Sequence, residues 1–176
     1  VPADGPHGPE ASERRAVTAP TLPSPKADPA YVEAFTTIMK RIEAALGTPR
    51  SPVVVCVSGG AAGHFYTGSR VTKDIDAKVM ARLIVPEGLE VSYRDKDGHA
   101  RLLYFDTQFN DSFGLLHADA YDDALPLPLP GIDARRMDLR ILSPVDLAVS
   151  KIARFETQDQ ADIAALAADG LVTPDE

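Results

Sequence analysis

The sequence contains a single cysteine and lacks any long apolar run. Each of these features excludes a class of protein. Cys56 alone cannot build a disulfide framework, and because it lies within the apolar run 53–57 we expect a buried thiol in a reducing compartment. No segment approaches the roughly 18 to 20 consecutive apolar residues of a membrane span, and the amino terminus lacks a signal-peptide hydrophobic region. We therefore expect a soluble, cytoplasmic protein that does not contact a membrane.

Basic residues are scarce relative to acidic ones. The chain has 18 Lys and Arg against 26 Asp and Glu, which gives a formal net charge of -8 at pH 7. A protein that binds nucleic acid over a wide surface needs clustered Lys and Arg to neutralise phosphates. The composition therefore excludes a broad basic field, and any contact with nucleic acid should be local.

The length and proline content predict one domain preceded by a tail. A chain of 176 residues, 44% of them hydrophobic, is long enough for one well-filled core. Residues 1–28 are rich in proline, which prevents a helix or strand from propagating, so we expect a flexible tail there. The pattern changes at Pro29, and we expect one folded domain over residues 29–176.

Hydrophobic periodicity predicts the elements of this domain. Apolar residues recur at helical spacing from Tyr31 to Leu46, which predicts a helix that ends at Gly47. A β-branched run predicts a buried strand over residues 52–58, followed by a tight turn at two glycines. Further strands are predicted over residues 74–80, 91–94, 101–105, 115–121 and 137–142, with a hairpin turn at residues 95–98.

Two helices should follow the last strand. Ser143, followed by a proline and then an acid, is typical of a capped helix start and predicts a helix over residues 144–156. Thr157 with a glutamine three residues on resembles a second capping box, and Gly170 should end the helix predicted over residues 158–168. One helix, a mixed and partly antiparallel sheet and two helices make an α+β fold.

Two Asp-x-Asp pairs occur, which is about the number expected by chance from this composition. Asp95 and Asp97 lie in the predicted hairpin turn, where Asp side chains usually serve turn formation. Asp74 and Asp76 share one face of a strand whose other face is apolar, so two carboxylates project side by side. Such a pair repels itself unless it shares a cation, and magnesium prefers carboxylates together with substrate phosphates. We therefore expect Asp74 and Asp76 to bind Mg²⁺ or Mn²⁺.

The segment Ser58-Gly59-Gly60 offers a place for phosphates near this pair. Two glycines at the end of a strand allow the backbone to approach an anion closely and to aim amides at it. A strand followed by two glycines is more often a plain turn, so this expectation depends on the neighbouring acid pair.

The combined pattern consists of Gly59-Gly60-Ala61, Gly68-Ser69-Arg70, Thr72 and Asp74-Ile75-Asp76. It resembles the signature of the nucleotidyltransferase superfamily and is close to small bacterial nucleotidyltransferases that include toxins of toxin–antitoxin pairs. The resemblance implies a polymerase β-like fold that binds a nucleoside triphosphate through Ser58, Gly59, Gly60, Ser69 and Arg70. It also implies that a third acid on a neighbouring strand completes the metal site of Asp74 and Asp76. Asp119 is the match for this acid, and Asp106 and Asp111 are its rivals.

A second block, residues 142–154 and the Asp-x-x-Asp segment after it, resembles the family's lysine-bearing helix and the helix that follows. Lys151 lies four residues from an apolar residue on either side, so it should lean toward the protein body. The resemblance implies that Lys151 binds a triphosphate oxygen. The alternatives are an ion pair with Asp162 or a side chain that extends to solvent. Arg70 likewise either binds phosphate or pairs with a carboxylate.

The resemblance implies transfer of a nucleoside monophosphate from a nucleoside triphosphate to an acceptor hydroxyl. The acceptor would be a tRNA end, a protein or a small molecule, and a toxin of this kind would have a cognate antitoxin. The implied catalytic residues are Asp74, Asp76, Asp119 and Lys151. A tRNA would be contacted at few places, with Arg135, Arg136 and Arg140 as candidates.

Two other functions stay open. A protein that keeps this fold but has lost turnover would bind nucleotide, or a partner, without forming product. A metal-dependent phosphohydrolase is the weaker alternative, because paired metal sites of that class usually recruit histidines. Only His64 and His117 are candidates for that role.

Overall fold

The computed structural model of the chain describes residues 22, 24–82, 84–109, 116 and 119–173. This part of the chain contains four helices and seven strands, and the predicted α+β class is confirmed. Every helix in it is too short or too polar to cross a membrane. The helices are α1 (Pro29–Ala45), α2 (Gly59–Thr67), α3 (Pro144–Ile152) and α4 (Thr157–Ala168). The strands are β1 (Val53–Val57), β2 (Asp74–Ile75), β3 (Ala77–Val79), β4 (Glu90–Arg94), β5 (Ala100–Phe105), β6 (Leu125–Pro126) and β7 (Met137–Ile141).

Helix α1 forms where the sequence predicts it. The Asp28 side chain accepts a hydrogen bond from the Ala30 amide at 2.8 Å, and Pro29 occupies the first turn. Gly47, with φ of +64°, follows the end of the helix. The apolar face of α1 supplies five fully buried side chains to the core: Tyr31, Phe35, Ile38, Met39 and Ile42.

Strand β1 is central in the first sheet, whose order is β3-β1-β7-β6. It pairs with β7 in parallel and with β3 antiparallel, so the sheet is mixed, as predicted. Val55, Cys56 and Val57 are fully buried, which suits a β-branched run in a central strand. The Cys56 thiol is buried as expected, and burial raises its pKa to about 12.

The strand predicted over residues 74–80 is divided between two sheets. Strand β2 ends at Ile75 and belongs to the second sheet, β2-β5-β4, whereas β3 begins at Ala77 and belongs to the first. The prediction of one continuous strand is therefore wrong. The predicted alternation is present, because Ile75 and Ala77 are buried while Asp74 and Asp76 are partly exposed. The chain crosses from one sheet to the other at Asp76.

The predicted hairpin forms the rest of the second sheet. Strands β4 and β5 pair antiparallel, and Gly98, with φ of +82°, lies in the turn between them. Helix α1 packs against both strands. The Asp28 carboxylate joins the turn to the start of α1, because it also accepts a hydrogen bond from the Lys96 amide at 3.0 Å.

Helix α2 starts directly after β1, so the tight turn predicted there is wrong. The order predicted from the sequence omits this helix, because two glycines indicate a turn and the segment has no polar face that would mark a surface helix. Most of α2 is buried, including Ala61, Ala62, Gly63, His64, Phe65 and Tyr66.

Two further predicted boundaries need correction. Within the strand predicted over residues 115–121, residues 119–121 form a turn in which the amides of Asp122 and Asp123 donate to the Asp119 carbonyl. Residues 115, 117 and 118 of that range lie outside the described residues. Helix α3 ends at Ile152 instead of residue 156, and Phe155 just beyond it has φ of +49°, which is incompatible with a continuing helix.

Helix α4 begins one residue earlier than predicted and has a different cap. Glu156, not Thr157, precedes the first turn, and its amide donates to the Asp159 carboxylate at 3.1 Å. Gly170, with φ of +67°, follows the helix end as predicted. The start predicted for α3 is confirmed, because the Ser143 hydroxyl accepts a hydrogen bond from the Asp146 amide at 3.1 Å.

Part of the segment predicted as a tail contacts the domain. The Lys26 amide donates to the Phe65 carbonyl at 2.9 Å, and its ammonium group lies 2.7 Å from Asp169. Leu22 and Ala27 pack against the core. Residues 1–21 lie outside the described residues, so a flexible tail there stays a prediction.

Candidate active site

Asp76 lies beside the end of β1. Val57 pairs with Ala77, which places Ser58 next to Asp76 at the carboxyl end of β1. The Ser58 amide donates to the Asp76 carbonyl at 2.8 Å, and the Ser58 hydroxyl lies 3.3 Å from the same oxygen. The predicted phosphate segment and the predicted metal ligand are therefore neighbours, joined by backbone pairing.

Asp106 lies on the other side of Asp76. In the parallel pair of β2 and β5, Ile75 is opposite Phe105, and the Asp106 amide donates to the Ile75 carbonyl at 3.0 Å. The next residues in this register are Asp76 and Asp106. Because parallel strands end at the same edge of a sheet, both carboxylates belong to one edge, with Ser58 beside them.

The backbone of Gly59 lies against the Asp76 carboxylate. Gly59 has φ of +59°, and a Cβ there would lie 2.0 Å from Asp76 Oδ2. A Cβ at Gly60 would lie 2.9 Å from Arg70 Nη2 and 3.0 Å from Thr72 Oγ1. Both glycines therefore allow the start of α2 to approach the side chains that the sequence motif predicts around it.

The first turn of α2 is suited to an anion. The first amides of a helix have no partner within it, and they form the positive end of the helix dipole. Ser58 does not cap these amides through its side chain. The helix is nine residues long and begins directly beside Asp76.

Burial and two neighbouring acids raise the pKa of Asp76 to about 6. Burial is the largest cause, and the charges of Asp74 and Asp106 add to it. The charges of Lys151 and Arg154 act in the opposite direction. A bound cation would relieve the repulsion, and three carboxylates supply the oxygen ligands that a hard divalent metal requires. The residues present therefore fit the predicted Mg²⁺ or Mn²⁺.

Asp74 is oriented by a residue that lies just before its strand. The Thr72 hydroxyl donates to Asp74 Oδ1, and Thr72 is almost completely buried. Thr72 also lies close to Gly60, so this threonine connects the predicted metal-binding pair to the first turn of α2.

The three acids considered for the third position differ in their placement. Asp106 follows β5 and lies next to Asp76 in register. Asp119 lies in a turn instead of a strand, and its role in metal binding stays a prediction. Asp111 lies outside the described residues. The register favours Asp106, which the sequence offered only as a rival because the pairing of β2 with β5 is not visible in it.

Lys151 and Arg70, two predicted phosphate ligands, bind one carboxylate. Lys151 Nζ lies 2.7 Å from Asp162 Oδ2, and Arg70 Nη2 lies 3.2 Å from the same atom. Lys151 and Asp162 are only 6% and 7% exposed. Burial opposes ionisation of Asp162, but the two cations outweigh it and hold its pKa below the ordinary value. The ion pair considered as the alternative for Lys151 is therefore present.

Arg154 is a charged neighbour of the site that sequence reasoning missed. Its Nε and Nη2 donate to the two Asp159 oxygens, each at 2.8 Å, and this bond raises the pKa of Arg154. Lys151 Nζ lies 3.9 Å from Asp159 Oδ1. The sequence does carry a signal for this pairing. Lys151 and Arg154 are three residues apart, and so are Asp159 and Asp162 of the Asp-x-x-Asp segment.

Ser69 lies in the loop after α2 and contacts Thr67. Its hydroxyl is 2.7 Å from Thr67 Oγ1, and its amide donates to the same oxygen at 3.2 Å. Ser69 is exposed, and its predicted contact with phosphate stays a prediction.

A comparison with protein families decides between the broad classes that this geometry allows. The model of a family described as "Nucleotidyltransferase of unknown function (DUF6036)" matches residues 33–171. The chain belongs to this nucleotidyltransferase family. The superfamily resemblance is thereby confirmed, and membership supports nucleotidyl transfer as the general activity. No curated protein and no solved structure matches the chain.

This nucleotidyltransferase has a second acidic cluster at the hairpin turn. Ligand atoms of Asp95, Asp97 and His99 all lie within 4.8 Å of one another, a spacing that could hold a metal ion. However, Asp95 already accepts hydrogen bonds that form the turn. Asp95 accepts hydrogen bonds from the Arg101 side chain at 2.8 Å and from two turn amides, and the Arg101 bond is the main reason that its pKa falls to about 2. The turn-forming role predicted for this pair is therefore present.

The predicted metal ligands Asp74 and Asp76, together with Asp106, are less closely spaced than that cluster. Among the described residues, no other group of three His, Cys, Asp or Glu residues is so compact, so the oxygens of Asp74, Asp76 and Asp106 lie farther apart. The fit of Asp74, Asp76 and Asp106 to a divalent metal therefore rests on their oxygen ligands and on the strand register, and not on a preassembled spacing.

His64 is a core residue of the nucleotidyltransferase. It is 2% exposed, its ring packs edge-on to Tyr31 at 4.6 Å, and its Nε2 accepts a hydrogen bond from the Asp28 amide at 3.2 Å. Burial lowers its pKa. His117 lies outside the described residues. The phosphohydrolase alternative therefore loses one of its two candidate histidines.

The three arginines considered for tRNA binding do not share one location. Arg136 precedes β7 and donates to the carbonyls of Glu43 and Gly47, at the opposite end of the sheet from Asp76. Its neighbour Arg135 pairs with Asp133. Arg140 alone lies toward the carboxyl end of β7, where it is paired with Asp138. Of the three, only Arg140 therefore lies toward the end of the sheet that carries Asp76, and its contact with an RNA acceptor stays a prediction.

Proposed function

We propose that the protein transfers a nucleoside monophosphate from a nucleoside triphosphate to an acceptor hydroxyl in a metal-dependent reaction. The observation that carries the proposal is the register around Asp76, which brings Ser58, Gly59 and Asp106 to one edge of two joined sheets. Carboxylates for a cation and helix amides for phosphates thus meet at one point, as this chemistry requires. Membership in a nucleotidyltransferase family agrees with the proposal.

The chain's own residues would bind and orient the triphosphate. The first-turn amides of α2, with Ser58, would hold the β- and γ-phosphates, and Arg70 beside Gly60 would add a positive charge there. In the reaction the acceptor oxygen forms a bond to the α-phosphorus, and the bond from that phosphorus to the bridging oxygen breaks. Pyrophosphate leaves and the hydroxyl proton passes to solvent.

The divalent metal would be held by Asp74, Asp76 and Asp106. When bound, Mg²⁺ or Mn²⁺ supplies positive charge that stabilises the attacking and leaving oxygens. The pKa of Asp76 indicates an environment that favours a neighbouring cation, because burial and two acids oppose its ionisation. Asp119 would take the place of Asp106 only if its turn contributes to the site.

The charge of the molecule limits how an RNA acceptor could be contacted. A net charge of -8 disfavours a long nucleic-acid footprint, so an acceptor tRNA would contact the protein mainly through its 3′ end. A protein hydroxyl or a small molecule fits the same site. Action as a toxin with a cognate antitoxin belongs to this proposal, and its support is the sequence resemblance.

A label-transfer assay tests the proposal. The protein is incubated with Mg²⁺, each α-labelled nucleoside triphosphate in turn, total RNA and cell lysate, and Asp76→Asn is compared with wild type. We expect wild type alone to label RNA or protein, since Asp76→Asn removes the central carboxylate. Asp97→Asn, in the other Asp-x-Asp pair, is the matched control and should label like wild type. Equal labelling by wild type and Asp76→Asn would contradict the proposal.

A second candidate function is nucleotide binding without turnover. Its support is the pairing of Lys151 with Asp162 and Asp159, which occupies a cation that the resemblance assigns to the triphosphate. Magnesium-dependent binding of a nucleoside triphosphate with no labelled product would favour this function.

A further inference from the structure

A pocket lies at one edge of the first sheet, between the chain before β6 and the chain after β7. It has a volume of about 530 Å³ and is lined by residues 122–126, Arg140, Ser143 and Pro144. A volume of this size lies in the range of small-molecule sites. Alanine, leucine and proline side chains supply the apolar part of the lining, and two aspartates, one arginine and one serine supply polar groups.

The strand register places this pocket beside the candidate active site. In the parallel pair of β1 and β7, the Leu142 amide donates to the Val57 carbonyl at 2.9 Å, so Leu142 is level with Ser58. Ser143, which lines the pocket, is the next residue. On the other side of β1, the Ser58 amide donates to the Asp76 carbonyl at 2.8 Å. The backbones of Leu142 and Asp76 are therefore about two strand spacings, or about 10 Å, apart. Ligands commonly bind outside the carboxyl ends of parallel strands, which is where the pocket lies.

Pairing across the first sheet places the Arg140 and Asp76 side chains on one face. Cys56 is opposite Lys78 on one side and opposite Arg140 on the other, and residues paired in this way project to the same face. Pro126, which also lines the pocket, is paired with Arg140 in turn. Asp76 precedes Lys78 by two residues, so it shares this face by alternation. The pocket and the candidate metal ligand are thus on the same face and at the same edge of the sheet.

The segment 122–124 crosses this face. The Lys78 ammonium lies 4.6 Å from the centre of the Tyr121 ring, which places Tyr121 near β3. Leu125, four residues later, is paired with Ile141 in β6, at the opposite side of the sheet. The three residues between them therefore pass over the face that carries Asp76 and Arg140, and they form part of the pocket wall.

The charges around the pocket disfavour a phosphate and fit a neutral group. Arg140 lies 2.8 Å from Asp138, so its charge is balanced, and the two aspartates of the lining add negative charge. The start of α3 differs from that of α2, because the Ser143 hydroxyl accepts a hydrogen bond from the Asp146 amide and Asp146 is itself an acid in the first turn. A ligand that combines apolar surface with hydrogen-bonding edges therefore suits the pocket better than an anion does.

We propose that this pocket binds the nucleoside part of a substrate whose reacting group lies beside Asp76, with the base against Pro126 and Pro144 and in contact with the Arg140 side chain. The inference rests on the proposed function and names the part of the site that would recognise its substrate. Bases stack on guanidinium planes, and carboxylates accept hydrogen bonds from base amino groups and ribose hydroxyls. The nucleoside belongs either to the donor triphosphate or to the end of an RNA acceptor, and the experiment separates these two sources.

The test measures binding by isothermal titration calorimetry in Mg²⁺ and physiological salt for wild type, Arg140→Ala and Arg140→Lys. The probes are ATP, GTP, CTP and UTP, inorganic tripolyphosphate, which has no nucleoside, and a short single-stranded RNA oligonucleotide. We expect Arg140→Ala to weaken binding of at least one nucleoside-containing probe by about 5- to 150-fold. Loss with the triphosphates assigns the nucleoside of the donor, and loss with the oligonucleotide assigns that of the acceptor.

Two comparisons separate contact with the base from a general effect of charge. Tripolyphosphate should bind Arg140→Ala nearly as well as wild type, because salt screens a charge about one Debye length away. Arg140→Lys keeps the positive charge but has no planar group, so its binding of the same probe should stay weaker than that of wild type. Full recovery in Arg140→Lys would show that charge alone acts and would overturn the assigned contact.

Arg101 provides the matched control. It pairs with Asp95 at 2.8 Å, the distance between Arg140 and Asp138, but it lies in β5 near the hairpin turn. Arg101→Ala should bind every probe like wild type, and circular dichroism establishes that the variants are folded. Equal binding of all probes by wild type and Arg140→Ala overturns the inference, as does a wild type that binds no nucleoside-containing probe. An equal loss of tripolyphosphate and nucleotides in Arg140→Ala also overturns it and indicates a disturbed phosphate site.

This outcome is independent of turnover. If wild type binds nucleotides through Arg140 but transfers no label, the proposed transfer fails and the nucleoside site stands. If wild type transfers label and Arg140→Ala binds and transfers equally well, the nucleoside site fails and the transfer stands.

Discussion

At Gly59 one methyl group is enough to disturb the site. A Cβ there would lie 2.0 Å from the Asp76 carboxylate, and φ is +59°. We predict that Gly59→Ala lowers the free energy of unfolding by about 1 to 2 kcal/mol and abolishes label transfer, because the backbone conformation is strained and the carboxylate must move. Chemical denaturation and the transfer assay measure the two effects.

Gly63, in the middle of the same helix, is the control for that substitution. A Cβ at Gly63 meets no heavy atom within 4 Å. Gly63→Ala should therefore raise the free energy of unfolding by about 0.5 to 1 kcal/mol, as alanine does within helices, and should keep activity. Similar stability and activity in the two alanine variants would contradict the assigned role of Gly59.

The raised pKa makes ionised Asp76 a destabilising group in the metal-free protein. A carboxyl whose pKa rises on folding, here to about 6, lowers the free energy of unfolding as pH increases from about 4 to about 6. We predict that Asp76→Asn raises this free energy at pH 7 by about 1 to 3 kcal/mol, with little change at pH 4. Urea unfolding in EDTA at both pH values tests this. A variant that is less stable than wild type at pH 7 would show that burial does not penalise the charge.

Residue types in the sequence predict part of the candidate site. Of the two Asp-x-Asp pairs, Asp95 and Asp97 lie in a segment with the composition of a hairpin turn, which indicates a role in forming the turn. The metal-ligand prediction was therefore assigned to Asp74 and Asp76. The third acid was not predictable in the same way. Asp106 reaches the site through pairing of two strands that are far apart in the chain, and local pattern does not encode that pairing.

At the scale of elements, a buried ion network joins α3 to α4. Lys151 and Asp162 are nearly buried and lie 2.7 Å apart, and Asp159 is 1% exposed. We predict that Lys151→Met lowers the free energy of unfolding by about 1.5 to 3 kcal/mol, because it removes the buried charged hydrogen bond to Asp162 and leaves that carboxylate with Arg70 as its remaining cation. Thermal or chemical denaturation measures this loss.

Lys26 provides the comparison for that substitution. It pairs with Asp169 at the same 2.7 Å distance, but its side chain is 52% exposed. Lys26→Met should therefore change stability by less than about 1 kcal/mol. Equal effects of the two substitutions would contradict the view that burial makes the α3–α4 network important. Because Lys151 has this structural role, loss of activity in its variants is not by itself proof of phosphate binding.

Elements with strong local signals were predictable, and those set by packing were not. Helix α1 and the start of α3 formed where capping residues and periodicity place them. The predicted element order omits helix α2, because its residues have no distinct polar face and it begins with two glycines, which usually indicate a turn. The end of α3 was missed because Phe155 adopts a positive φ that its residue type does not suggest.

At the scale of the whole molecule, the site exists because two sheets meet at one residue. The sequence predicts the strand that carries Asp76 and the alternation of its side chains, but it does not predict that the strand changes sheet there. That change brings Ser58 from one sheet and Asp106 from the other to the same carboxylate. The central claim is therefore that Asp76, with Asp74 and Asp106, forms a metal-dependent triphosphate site next to α2.

Calorimetric titration with a non-hydrolysable nucleoside triphosphate analogue, with and without Mg²⁺, tests this claim most directly. Wild type and Asp97→Asn should bind the analogue only when Mg²⁺ is present. Asp76→Asn and Asp106→Asn should lose most of that binding, whereas Asp119→Asn should keep it. The account would be contradicted if binding did not depend on Mg²⁺. It would also be contradicted if Asp76→Asn and Asp106→Asn kept the binding while Asp97→Asn lost it.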